Sequence, residues 1–401
     1  MNIDSSSTET VNDVNVRSKC FTIGSILLLA GVFCVALTGP AVKNILFLSS
    51  VFLLFLSKEI RCYCDLFKKN TTIKCCVALF VWLGISMIWS SENIFYCFGY
   101  LNKYYEFIVI PIFMIYFTDK KNKKYAFMAL YISLMLSLVA SFLIHFNIVD
   151  ISSNANSLGN RIFHGITMSF FGYMNMWIFS NNKDNKKLSI ICIVMYLLIF
   201  LNVFFIEPGR TGCFTFLLLA CVFFFQKING WKTYLAISVF VIVIASVYLN
   251  FSGARLLNNM SIFNGTDAIA ASVFQQADIR FEYYLLSTHI FLDNILFGVG
   301  LGSFSSAYIL KMADFKTFWP PTTNPHNEFL MLACQSGVIG LGLFFGFFVA
   351  MYRRAQTELA EQRHIMTAVL VSIFTACLFN SSFLDYGDGS FFMILVSLFF
   401  V

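Results

Sequence analysis

The chain has 401 residues, of which 58% are hydrophobic, 18% aromatic and 12% charged, with 49 Phe and a formal net charge of +6. A soluble globular domain of that balance would expose a largely apolar surface, so the proportions exclude one and indicate an integral membrane protein. The positive charge is no evidence of nucleic-acid binding, because most of it sits in short connections between apolar runs.

Those runs are of helical length and lack the alternation and frequent Gly/Asn turns of strands, which predicts an all-α bundle. Residues 1–16 are polar and rich in Ser, Asn and Asp, and are expected to form a disordered tail. The run over 21–39 exceeds the core of a signal peptide and reads as a retained helix. Hydropathy then predicts about twelve transmembrane helices, over 21–39, 41–57, 73–90, 104–118, 125–148, 163–180, 188–206, 211–226, 231–250, 327–352, 364–382 and 389–401. The last is short: it tilts, begins earlier to include Asp385 and Asp388, or fails to span. The chain so divides into a cytoplasmic polar tail (1–20), spans 1–9 (21–250), a large outer loop (251–326) and spans 10–12 (327–401).

Lys and Arg in the short connections set the orientation. Lys58, Arg61, Lys68, Lys69 and Lys74 crowd the second connection, and Lys120, Lys121, Lys123 and Lys124 the fourth. Lys183, Lys186 and Lys187 mark the sixth, Lys227 and Lys232 the eighth, and Arg353, Arg354 and Arg363 the tenth. Every even connection is basic, so both termini are expected in the cytoplasm and the odd connections outside. Of the 12 Cys, Cys34, Cys75, Cys76, Cys192, Cys221 and Cys377 lie inside apolar runs, where thiols act as small hydrophobes. Cys62 and Cys64 have no neighbouring His, so no metal site is expected there.

Cations left on the outer side need their own explanation. In Glu207-Pro208-Gly209-Arg210-Thr211-Gly212 the Pro-Gly break ends one helix and starts the next, placing Arg210 at a helix amino terminus. Backbone N–H groups there favour an anion, and a guanidinium fork grips two phosphate oxygens. The loop over 251–324 has helical spacing from about 266 to 294, with Phe274, Phe281, Leu285 and Ile295 among its apolar positions. It reads as an amphipathic helix on the outer interface, with Arg280 one turn before Tyr284. Gly298-Val299-Gly300-Leu301-Gly302 follows no strand, so it reads as a tight turn back to the bundle rather than a nucleotide fingerprint.

Next comes Trp319-Pro320-Pro321-Thr322-Thr323-Asn324-Pro325-His326-Asn327-Glu328, ahead of an apolar helix. Asn324 suits the N-cap and Pro325 the first helical position, which puts His326 in the first turn, neutral and able to accept a proton. Four of the six Pro lie here or beside Arg210, so rigidity concentrates at two outer sites. Arg161 and His164 are further outer candidates, and Asp385 and Asp388 stand where carboxylates orient a sugar or an Arg. His145 and His364 read as structural, and His289 as either. Taken singly, each Arg is equally an interfacial residue reaching lipid headgroups, and a lone His at a helix end is more often structural.

Two Arg and a base on one face suit transfer from a glycan-bearing lipid diphosphate, because guanidinium groups neutralise the leaving group while the base takes a proton from an acceptor hydroxyl. The sequence holds no Asp-x-Asp pair and no nucleotide-binding domain, which argues against a nucleotide-sugar donor. From about residue 159 to 380, the Arg-Thr-Gly at 210–212, Arg280 followed by Gly298 and Gly300, and Pro325-His326-Asn327-Glu328 together resemble the bacterial O-antigen ligase superfamily. The resemblance implies a metal-independent, inverting glycosyltransferase of the Gram-negative inner membrane, facing the periplasm and using no cofactor. Its partners would be an undecaprenyl-diphosphate-linked glycan donor, a lipid A-core acceptor and membrane lipids, without nucleic acid. Arg210 and Arg280 would hold the diphosphate and His326 would activate the acceptor, with Arg161, His164, Tyr284, Asn327 and Asp388 as substrate-binding candidates. O-antigen polymerase and protein O-oligosaccharyltransferase are the related alternatives. A lipid or solute transporter is the alternative from another class.

Overall fold

The computed structural model describes residues 5–57, 59, 62–149, 160–227, 279–315, 317 and 319–401, and every regular element among them is helical. In chain order these are α1 (Ser5–Cys34), α2 (Pro40–Ser57), α3 (Cys62–Lys69), α4 (Thr71–Ser86), α5 (Ile94–Asn102), α6 (Glu106–Phe117), α7 (Lys120–His145), α8 (Arg161–Asn181), α9 (Lys186–Leu201) and α10 (Arg210–Lys227). Then follow α11 (Ile279–Asp293), α12 (Phe304–Met312), α13 (Glu328–Gln356), α14 (Ala360–Phe379) and α15 (Tyr386–Phe399). The expected ninth span, 231–250, and the loop up to residue 278 lie outside the described residues.

Among the described residues, seven helices are long and apolar enough to cross a membrane: α2, α4 extended to Trp89, α7, α9 extended to Ile206, α10, α13 and α14. The protein is a multi-pass helical membrane protein. Ser18–Cys34 of α1 and Gly387–Phe399 of α15 are shorter apolar stretches. α1 starts at Ser5 instead of following a disordered tail. Extending an existing helix costs far less than nucleating one, so the apolar stretch propagates into its polar prefix.

Two of the segments expected to span are short helices packed inside the bundle. α6, expected as a span over 104–118, has 12 residues and is about 18 Å long, against roughly 30 Å of hydrocarbon. Phe107 and Val109 to Phe117 are all buried. α15 packs beside it with Phe391 to Val396 buried, and Ser397 Oγ donates to Ile110 O at 3.1 Å. Hydropathy does not reveal this burial, because a protein interior lined with Phe and Leu is as apolar as lipid.

Aromatic packing then locks the end of the bundle where α13 begins. Phe329, in the first turn of α13, meets Phe374 of α14 at 5.2 Å and Phe344 at 5.3 Å between ring centroids. Such pairs add about 0.5–1.5 kcal/mol each beyond their buried area. The start of α13 is thereby held against the last turns of α14.

α13 is broken at Gly337 (φ 67°, ψ −166°), and the glycine turn ahead of α12 fills the break. Val299 N donates to Cys334 O at 2.8 Å, Gly300 N to Gln335 O at 3.0 Å and Gly302 N to the Gln335 side chain at 2.7 Å. Trp82 Nε1 donates to Ser336 O at 3.0 Å. The carbonyls freed by the break are thus satisfied from outside the helix, as an apolar surrounding demands. Gly298 has φ 69°, and a Cβ there would lie 2.5 Å from Cys334 O, so position 298 admits no side chain.

Candidate functional site

The site is assembled on the carboxyl end of α14. The last carbonyls of a helix have no intrahelical donor and carry its partial negative charge, so they attract N–H groups and cations. Asn327 Nδ2 donates to Leu378 O at 3.0 Å, Tyr284 OH reaches the same oxygen at 3.5 Å, and Arg280 Nη1 donates to Phe379 O at 3.3 Å. Three of the expected site residues therefore converge on two adjacent carbonyls.

His326 stands between them. Its backbone N–H donates to Asn324 Oδ1 at 2.7 Å, its carbonyl accepts from Tyr284 OH at 3.3 Å, and its ring stacks on Tyr283 at 6.3 Å. The N-cap of α13 is Asn327, whose side chain accepts from Leu330 N, and not Asn324 as the sequence suggests. Asn324 is occupied in closing the turn and accepting from Ser381 Oγ at 2.6 Å, while Asn327 is anchored to α14. His326 consequently lies just before the helix with φ 55°, a left-handed conformation that costs a non-glycine residue about 1–3 kcal/mol.

His326 Nδ1 lies 3.4 Å from Asn380 Oδ1. Asn380 Nδ2 donates to Asp388 Oδ2 at 3.2 Å, and that oxygen also accepts from Ser382 Oγ at 3.0 Å. A carboxylate that accepts from the amide nitrogen turns the amide oxygen toward the ring. Nδ1 then carries the hydrogen, and Nε2 keeps a lone pair able to take a proton. Burial, and beyond it the Arg280 guanidinium, hold the imidazole below its usual value near 6.5, with the Asn380 bond opposing them. The neutral form expected from the helix dipole is thus favoured mainly by desolvation.

Arg210 is the first residue of α10 and is exposed, as the Pro-Gly break implies. Phe214, one turn later, packs on Phe379 at 5.4 Å, which brings the start of α10 to the end of α14. The turn before Arg210 is tied to α8: Arg161 Nε pairs with Glu207 Oε1 at 2.7 Å, the Glu207 side chain being wholly buried and Arg161 53% exposed. Arg161 is therefore engaged in holding the turn. Gly165 and Gly212 let α8 and α10 cross in backbone contact, since a Cβ on Gly212 would lie 2.7 Å from Gly165 Cα. Ser169 Oγ bonds to both Gly165 O at 2.6 Å and Gly212 O at 2.9 Å.

The family model described as O-antigen ligase matches residues 194–345. That stretch of the chain carries an O-antigen ligase family domain. No curated protein matches the chain. The O-antigen ligase match runs from α9 into the second half of α13 and takes in Arg210, Arg280, Tyr284, His326 and Asn327. It leaves out Asn380 and Asp388, which the structure joins to His326.

α11 departs from the sequence reading in its face. The expected stripe of Phe281, Leu285 and Ile295 leaves Phe281 54% and Ile295 46% exposed, while Glu282, Tyr283, Leu286, Ser287 and Ile290 are buried. Phe274 lies outside the described residues. The face is chosen by contact with α13: Ser287 O accepts from Cys334 Sγ at 3.1 Å. His164 is buried, its Nε2 2.9 Å from Asn202 Oδ1 in the π-helical end of α9, and Asn202 Nδ2 donates to Ser141 Oγ at 2.7 Å. It lies away from His326 but lines a cavity with Asp388 and with Lys43. His289 rests on Phe315 at 4.8 Å, a packing role.

Reasoning from the sequence misses Asn380 and Lys43. Asn380 gives no signal, because a single Asn closing an apolar helix looks like an ordinary cap. Lys43 does: it is a lone cation one turn inside an apolar run, where ionisable residues are rare and functional.

Proposed function

We propose that the protein is an O-antigen ligase: a metal-independent, inverting glycosyltransferase that moves glycan from undecaprenyl diphosphate to lipid A-core at the periplasmic face of the inner membrane. The observation that carries this reading is the placement of His326, with Nδ1 3.4 Å from Asn380 Oδ1, beside Arg280 on the end of α14. In the proposed reaction His326 Nε2 takes the proton of the acceptor hydroxyl as its oxygen bonds to the anomeric carbon. The anomeric carbon–oxygen bond breaks, and the lipid diphosphate leaves with the electron pair, its charge held by Arg210 and Arg280. Tyr284 and Asn327 position the His326 turn. The twelve-span arrangement with both termini in the cytoplasm belongs to the same proposal, supported by the basic even connections.

The test is the lipopolysaccharide of a deletion strain complemented by wild type and by His326→Ala. Loss of the ligase leaves bare core and accumulating lipid-linked polymer, and His326→Ala is expected to restore nothing while donor binding survives. Core carrying a single repeat unit in the deletion strain would instead mark a polymerase. Arg210→Lys keeps the charge but loses the planar fork, so transfer should fall well beyond any change in expression. Wild-type turnover in that variant would count against bidentate phosphate binding.

A further inference from the structure

Lys43 is 1% exposed, at the start of α2. Its ammonium has three hydrogens to place. It makes one long hydrogen bond, to Gly387 O at 3.4 Å, and lies 5.5 Å from the centroid of the Phe163 ring. No ion pair joins it to a carboxylate among the described residues. Asp388, also 1% exposed, has its Oδ2 filled by Asn380 and Ser382, while its Oδ1 is buried without a partner among the described residues.

These two groups line the same cavity, of about 150 Å³, walled by α2, α7, α8 and the turn into α15. Asp385, His164, Thr167 and Ser137 complete its polar lining. Buried polar groups normally have partners, and a roomy, polar-lined cavity beside a carboxylate oxygen that lacks one and an ammonium with a single long hydrogen bond marks the place of a molecule that bonds both. At roughly 10–15 Å³ per water-sized group, the space holds about ten such groups, the size of one sugar ring with its hydroxyls. Two carboxylates against one ammonium repel an anion. A polyol suits both, because each hydroxyl donates to a carboxylate oxygen and accepts from the ammonium.

We propose that this cavity is a saccharide subsite for one neutral sugar ring, held by Lys43 and Asp388. It stands two hydrogen bonds from His326, through Asn380, so a ring bound there belongs to a glycan engaged at the transfer centre. In that respect the assignment rests on the glycosyltransferase reading; the sugar could be supplied by donor or acceptor.

The experiment uses the full-length protein in nanodiscs with three variants. Ser137→Leu fills the cavity with an apolar side chain, Lys43→Gln removes the ammonium, and Asp385→Asn keeps the cap of α15 while removing its charge. Steady-state transfer is measured against lipid-linked glycan and rough lipopolysaccharide, and ligand-observed NMR against two sugar probes, deacylated core oligosaccharide and the free glycan repeat unit, and against inorganic pyrophosphate. The expected result is a rise of about tenfold in KM for one of the two glycan substrates, with kcat within about twofold, and loss of the NMR signal from the matching probe. Which KM moves tells donor from acceptor. Unchanged KM values and unchanged NMR signals in Ser137→Leu would overturn the subsite, as would lost inorganic pyrophosphate binding with sugar binding intact. Should Lys43→Gln fail to fold, Ser137→Leu and Asp385→Asn decide. Should the wild type transfer nothing, the ligase reading fails, while the NMR arm still decides the cavity.

Discussion

Gly298→Ala should uncouple the two halves of the site without touching any residue in it. The glycine turn is the joint between α11, which carries Arg280 and Tyr284, and α13, which follows His326. At φ 69° an alanine costs about 1–2 kcal/mol. Its Cβ would also lie 2.5 Å from Cys334 O and 2.6 Å from Ser336 N, backbone atoms with little freedom to move. Either the contact is forced, for about 1–3 kcal/mol, or the turn lifts and surrenders the Val299 and Gly300 hydrogen bonds at about 1 kcal/mol each. By either route the loss is about 2–5 kcal/mol, which raises the opened fraction roughly 30- to 5,000-fold. Cys334 reports on it directly, being fully buried at the break with its Sγ on Ser287 O. Labelling of Cys334 by a thiol-reactive maleimide under native conditions should accelerate by that factor, and transfer should fall with it. Gly342→Ala is the control in the same helix: its Cβ meets nothing within 4 Å, so labelling and transfer should be unchanged. Slow, wild-type labelling in Gly298→Ala would refute the idea that this turn clamps α13.

Gly212→Ala should push α8 and α10 apart and cost about 1–3 kcal/mol, read as a lower unfolding temperature in nanodiscs together with reduced transfer. Glu207→Gln removes the charge paired with Arg161; because Arg161 is half in solvent, stability should drop by no more than about 1 kcal/mol. Transfer should drop further than stability in that variant, since the turn carrying Arg210 loses its tether, and equal losses would assign Glu207 a purely structural role. Asn380→Leu removes the hydrogen bond that raises the His326 pKa, so the acid limb of kcat/KM should move to lower pH. Movement to higher pH would show that Asn380 does not hold Nδ1–H.

Local features of the site are legible in the chain itself. The start of α10 at Arg210 follows from Pro208 and Gly209, because proline and glycine act on the local chain whatever surrounds it. The glycine turn at 298–302 is readable for the same reason. Readings that depend on a neighbour fail. Asn324 and Asn327 are equally good caps in isolation, and only the Leu378 carbonyl selects Asn327. The buried face of α11 is chosen by α13 across the interface rather than by the spacing of Phe281 and Leu285. The burial of α6 and α15 is not legible, because hydropathy measures how apolar a segment is and not whether lipid or protein surrounds it. Lys43 is visible as an anomaly, but its meaning needs Asp388, 345 positions later, to be brought to the same cavity.

Arg280 and His326 are coupled, and the coupling gives the site an order of events. Without donor, Arg280 rests on the Phe379 carbonyl, and its charge is one of the causes holding the His326 imidazole below 6.5. Lowering favours the neutral ring, so the base is competent above its pKa and lost as pH falls through it. A bound diphosphate would oppose the Arg280 field. One phosphate charge about 6 Å from the ring is worth roughly 3 kcal/mol at an effective dielectric of 20, or about two pKa units, before the opposing effect of expelled water. Donor binding should therefore strengthen the base at the moment an acceptor can use it. kcat/KM for the acceptor at low donor reports the free enzyme, whereas kcat reports the complex. The acid limb of kcat should accordingly lie at higher pH than that of kcat/KM. Coincident limbs, or a kcat limb at lower pH, would mean that the diphosphate is not held by Arg280 beside His326.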